Sequence, residues 1–129
     1  MNLKLRSEGR QSILVGRAEF THEDLADGNF VDALQLPSDA VILRGYLAII
    51  DPFDGATTIS LGTAATPDKY LGATAAGAAG ITPLSGGING DVVGDVTMAG
   101  VNPSAAMTQG KGVFLVEYIR RNRSFSTEG

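Results

Sequence analysis

The sequence holds no cysteine, no tryptophan and one histidine, His22, among 129 residues. Without thiols there is no disulfide framework, thiolate zinc site, iron–sulfur cluster or cysteine nucleophile. A small secreted scaffold stapled by disulfides is therefore excluded, and folding in a reducing compartment is expected. Charged residues are scarce, at 19%. No apolar run approaches the ~18 residues of a membrane span. The first ten residues carry charges with no apolar stretch behind them, so no signal peptide is expected and the chain reads as soluble and unprocessed. What is present is 43% hydrophobic residues and 17 glycines, too apolar for a disordered chain and long enough for one domain with its own core.

Charge is unevenly placed. Lys4, Arg6, Arg10 and Arg17 outweigh Glu8 at the front, and Arg120, Arg121 and Arg123 outweigh Glu128 at the end. Between them, acids dominate, with only Arg44, Lys69 and Lys111 opposing them from 18 to 117. An acidic body does not supply the concentrated basic surface that nucleic acid requires, so no nucleic-acid partner is expected. The cations at the two ends could reach an acidic partner or stand solvated.

The residue pattern predicts an all-β chain. Strands are expected near 12–20, 30–36, 40–50, 57–62, 91–98 and 111–119, with short candidates at Tyr70-Leu71 and 81–84. In 40–50, Val41, Leu43, Leu47 and Ile49 would line one face and Ile42, Tyr46 and Ile50 the other with Arg44. Apolar residues on both faces suggest a central strand. In 91–98, Val92, Val96 and Met98 would share a face. The Ala/Gly tract 72–80 has alanine's helix propensity but lacks an apolar stripe, so it reads as a loop with at most one helical turn. Asn102 to Gly112 reads as a long loop. Short strands punctuated by Gly, Pro and Asp fit an antiparallel β-sandwich, jelly-roll-like. The expected layout is a basic N-terminal arm over 1–11, a β-sandwich domain over 12–119 and a basic C-terminal tail over 120–129.

A search for chemistry comes back empty. His22 has Glu23 and Asp24 beside it, but no second histidine at ligand spacing, and reads as a turn residue. Asp51, Asp54 and Asp68 miss the alternate spacing of a calcium loop and read as turn residues bonding their own backbone. Gly86-Gly87-Ile88-Asn89-Gly90 lacks the lysine and helix of a phosphate loop. Phe30, Tyr46, Phe114 and Tyr118 fall on expected strands and read as core or interface anchors, with core favoured. No enzyme, no cofactor and no metal is expected.

Several segments taken together resemble a family of small tailed-bacteriophage virion proteins, the capsid decoration or cement proteins. They are Ala18-Glu19-Phe20, Asp24-Leu25 before Gly28, Ala33-Leu34-Gln35-Leu36-Pro37, Ala40-Val41-Ile42, Gly45-Tyr46-Leu47 and Phe53-Asp54. Thr58-Ile59-Ser60-Leu61-Gly62, Lys69-Tyr70-Leu71 and Gly80-Ile81-Thr82-Pro83-Leu84 follow, and Gly110-Lys111-Gly112-Val113-Phe114-Leu115-Val116-Glu117-Tyr118-Ile119 closes the series. The resemblance spans roughly 18–119 and implies a sandwich that binds the outside of an assembled phage head and cements its major capsid subunits. It brings no catalytic residues.

On that reading the partners are the major capsid protein and further copies of the chain, as a dimer or trimer, with no membrane involved. The protein would reside on the virion exterior, after passing through host cytoplasm. Lys4, Arg6, Arg10, Arg120, Arg121 and Arg123 are the candidate partner contacts, expected to lie outside the strands, loose in the free protein and held when mounted. The rival readings are another virion part, such as a head-fibre base, tail adaptor or receptor-binding sandwich, an enzyme or lectin on the same fold, and an isolated soluble domain with no large partner.

Overall fold

The computed structural model describes residues 13–88, 92–94 and 97–120. Eight strands follow in order: β1 (Leu14–Thr21), β2 (Val31–Gln35), β3 (Ala40–Asp51), β4 (Thr58–Gly62), β5 (Leu71–Ala75), β6 (Gly80–Pro83), β7 (Met98–Pro103) and β8 (Lys111–Arg120). They form two antiparallel four-stranded sheets, ordered β1-β8-β3-β6 and β2-β7-β4-β5. The pairs β1·β8, β2·β7, β3·β6 and β4·β5 join first strand to last, second to seventh, and so inward. That is one long hairpin, tipped at β4–β5, rolled until β3 meets β8 and β4 meets β7. This double-sheet topology is the jelly roll, so the all-β sandwich reading stands.

Local sequence explains why the roll closes. Alternation sends Phe114, Val116 and Tyr118 of β8 inward against Leu47, Gly45 and Ile42 of β3. The core between the sheets is closed by Leu25, Phe53, Ile59, Leu61, Tyr70 and Val101, all nearly or fully buried. Phe20 and Phe53 stack with ring centroids 5.9 Å apart, an offset arrangement that aromatic quadrupoles favour. Gly87, at φ 71°, passes directly over the Tyr70 ring, where a side chain would collide and where L-residues rarely adopt that backbone.

β3 is central, as its two-faced apolarity suggests, but its faces do not alternate simply. Register shifts occur between Ile42 and Arg44 and between Ile49 and Asp51. Each bulge inserts one residue, and the inserted Leu43 and Ile50 are left exposed. The first bulge moves the inward set from Ala40 and Ile42 to Gly45, Leu47 and Ile49. Val41, Leu43, Leu47 and Ile49 therefore do not share one face.

Two further expectations are corrected. The strand placed at 91–98 begins at Met98 and runs to Pro103. Val92 makes only an isolated bridge to Val41, and Gly94, at φ 83°, turns the chain. Its N–H and that of Val93 bond the carbonyls of Ser38 and Ala40, so this stretch caps β3 instead of pairing as a strand. Of that predicted strand, Asp91, Asp95 and Val96 lie outside the described residues. The Ala/Gly tract is strand too. Leu71–Ala75 pairs with β4, and the chain turns over 76–79 into β6. Its small residues suit an edge strand, where little needs packing on the outer side.

Candidate functional site

Of the six candidate cations, Lys4, Arg6, Arg10, Arg121 and Arg123 lie outside the described residues. Arg120 does not stand outside the strands. It is the last residue of β8, and its Nε donates to Asp39 Oδ1 at 2.9 Å. Asp39 is 7% exposed. The pairing Ala40↔Arg120 sets the guanidinium beside Asp39, so the structure gives this cation a structural partner within the fold.

The acids also differ from expectation. Asp54 does not bond only its own turn. Its carboxylate accepts the Thr108 N–H at 3.2 and 3.3 Å and the Thr108 hydroxyl at 2.9 and 3.0 Å. It thereby ties the 52–57 loop to the 104–110 loop. Asp51 ends β3 opposite Lys111. His22 lies in the turn after β1, where its N–H donates to the Gly110 carbonyl at 3.0 Å. Among the described residues no three of His, Cys, Asp or Glu gather as metal ligands. Burial pushes the Tyr70 hydroxyl above its usual range.

What the fold assembles is a surface. The outward residues of β1, β8, β3 and β6 form rows: Arg17, Leu115, Tyr46 and Pro83 in one, Glu19, Val113, Ala48 and Ile81 in the next. Val113 is 6% exposed although it belongs to this outer face and not to the core cluster. Tyr46, expected as a core or interface anchor, is half-buried on the same face. Ile81 at the β6 edge is 69% exposed. Charge on the face is mutually paired: Arg44 to Glu117 at 2.7 Å, Arg17 to Glu19 at 3.1 Å, and Lys111 to Glu19 at 3.8 Å. A sheet face with an apolar strip and mutually paired charges is chemically suited to holding another protein surface.

A cleft of about 160 Å3 opens between β1 and β2, lined by the apolar Phe20, Leu25, Val31 and Val101 and the acidic Glu19, Asp24 and Asp32 among others.

No known family model matches the chain, and no curated protein matches it. Solved structures do. A chain in the capsid asymmetric unit of cyanophage Pam1 is similar at TM-score 0.72, with 19% identity over 86% of both chains. The acid-stable capsid of Helicobacter pylori bacteriophage KHP30 contains a similar chain at TM-score 0.62 and 19% identity, covering 86% of this chain and 90% of that one. The capsid of Ralstonia phage GP4 contains another at TM-score 0.62 and 18% identity, over 85% and 84%. The fold is one found in phage capsids. At these identities the likeness is one of fold, and it extends over nearly all the described strands.

Proposed function

We propose that this chain is a virion structural protein, a decoration or cement protein that binds the outer surface of an assembled phage head and bridges major capsid subunits. The observation that carries this reading is the near full-length match to chains within three phage capsid structures. Two properties support it. The outer face of the β1-β8-β3-β6 sheet presents apolar surface, with Ile81 69% exposed, beside charges paired to one another, as an adhesive role requires. The cations of the two ends flank an acidic body and are suited to carboxylates on neighbouring subunits, with arginine able to bind them bidentately.

Copies of the chain associate on the shell as a dimer or trimer, and many weak identical contacts repeated around a lattice sum by avidity. Catalysis, cofactors, nucleic acid and membrane play no part in this role. The test is cosedimentation of the purified chain with heads stripped of it. Binding to assembled heads at saturable stoichiometry is expected. Failure to bind heads, with binding instead to isolated tails or host surface, would assign the chain to another virion part.

A further inference from the structure

We propose that two copies of this chain pair through the open edges of β1, antiparallel about a two-fold axis at Ala18. The β1-β8-β3-β6 sheets of the two copies then join into one. The edge strands of the two sheets, β1, β6, β2 and β5, are unequal. β2 and β5 have five residues each and register shifts against their neighbours, and β6 has four and ends in Pro83. Shortness, bulges and proline are the devices that stop an edge from recruiting another strand. β1 has none of them. It runs eight residues without proline, in unbroken register with β8, and no strand borders its other side among the described residues. Val15 on this edge is 57% exposed.

The backbone shows which groups this edge offers. The N–H of His22 donates to the Gly110 carbonyl, so the even-numbered residues of β1 hydrogen-bond to β8. The odd-numbered ones turn their N–H and C=O to the open side. At Thr21 the following turn takes both groups. The Thr21 N–H donates to the Asp24 carboxylate at 2.9 Å, and the Thr21 carbonyl accepts from the Asp24 N–H at 3.0 Å. The main-chain groups of Val15, Arg17 and Glu19 have no such partner among the described residues, and a second strand can pair them.

Charge selects the register. In an antiparallel pair of identical strands, an odd residue must stand opposite an odd one to exchange hydrogen bonds. An axis at Arg17 or at Glu19 would set like charges directly opposite, which destabilises a sheet. An axis at Ala18 sets Arg17 opposite the partner's Glu19 and Glu19 opposite the partner's Arg17. Within one chain Arg17 and Glu19 already meet at 3.1 Å on the outer face, with side chains 53% and 44% exposed. The two chains therefore form a cluster of alternating charge while each keeps the contact it holds alone. On the inward side Ala18 meets the partner's Ala18, and Gly16 meets the partner's Phe20, so no two bulky side chains are opposed.

This pairing deepens the self-association that the capsid reading includes, but it is measured on the free chain. Heads that bind a strictly monomeric chain would refute the pairing alone. The experiment is sedimentation equilibrium on the native chain, on Arg17→Glu, on Glu19→Arg and on an equimolar mixture of the two variants. The native chain should dimerise. Each variant alone sets like charges opposite and should dimerise about tenfold more weakly. The mixture should recover the native affinity, because each variant finds on the other chain the charge it has lost. Damage confined to the Arg17–Glu19 contact within one chain would persist in the mixture. Variants that dimerise as tightly as the native chain, a mixture no tighter than its components, or a trimer would overturn the proposal. The absence of native cysteine gives a second readout. At the axis the two Ala18 Cα atoms would stand about 4.5 Å apart, within disulfide reach. Ala18→Cys should link two chains under mild oxidation, and chains left unlinked would overturn the register.

Discussion

At the scale of single residues, the fold turns ordinary side chains into specific commitments. Tyr70 is almost wholly buried with its hydroxyl held neutral by desolvation, so its folded pKa stands above its ordinary 10.0. The unfolded chain therefore ionises first, and the stability this group permits is complete below that value and lost as pH rises through the folded pKa. Tyr70→Phe keeps the ring packing and removes the titration. Between about pH 9 and about pH 11 its denaturation midpoint should fall less than that of the native chain. Asp54 is the other committed residue, since its four contacts to Thr108 hold two loops together. Asp54→Ala and Thr108→Ala should each cost about 1 kcal/mol of stability, and the double variant clearly less than their sum. Neither substitution should alter binding to a shell, because the pair serves the loops and not the outer sheet.

At the scale of elements, strands with β-branched, alternating composition were legible and strands built from small residues were not. β1, β3, β4 and β8 carry Val, Ile, Leu and Phe at period two, and their positions follow from the sequence within about two residues. Apart from Leu71, Met98 and Val101, β5 and β7 are written in Ala, Gly, Thr, Asn and Pro, a composition that gives no clear strand signal when no neighbour is known. Their strand state comes from partners: β4 templates β5, and β2 and β4 flank β7 on both sides. Gly100 illustrates the point. It stands mid-strand in β7, where a Cβ would meet Phe30 and the backbone of Val31. Gly100→Ala should destabilise the chain by about 1–3 kcal/mol through overpacking, measured by its urea midpoint. The bulges of β3 were invisible for a related reason. Alternation assigns faces only while the register holds, and one inserted residue reverses every face after it.

The same limit applied to the candidate surface. Charge at the two ends was visible in composition, but the Arg120–Asp39 pair joins residues 81 positions apart. The apolar strip on the outer sheet, from Val113 to Ile81, depends on cross-strand rows that no single segment contains. The cleft between β1 and β2 is likewise a product of two edges meeting in space.

At the scale of the whole molecule, the proposed role assigns separate tasks to core, face and ends. On that role the jelly roll's core carries the fold, the outer face supplies apolar contact, and the terminal cations supply long-range attraction to acidic neighbours. Arg121→Ala/Arg123→Ala should leave the free protein's melting temperature unchanged. It should lower occupancy on heads, with the deficit largest at low salt and shrinking as salt is raised, because salt screens in the native chain the attraction that the variant lacks, each exposed pair being worth ~0–1 kcal/mol. Arg120→Ala differs, because it strips the ion pair from Asp39 and should lower melting temperature before any effect on mounting. The measurement that bears most directly on cementing is the rupture temperature of heads depleted of this protein, before and after the purified chain is added back. Refilled heads should withstand a higher temperature than depleted ones, in proportion to the copies bound per particle. Full occupancy with no gain in rupture temperature, or no occupancy at all, would contradict the account.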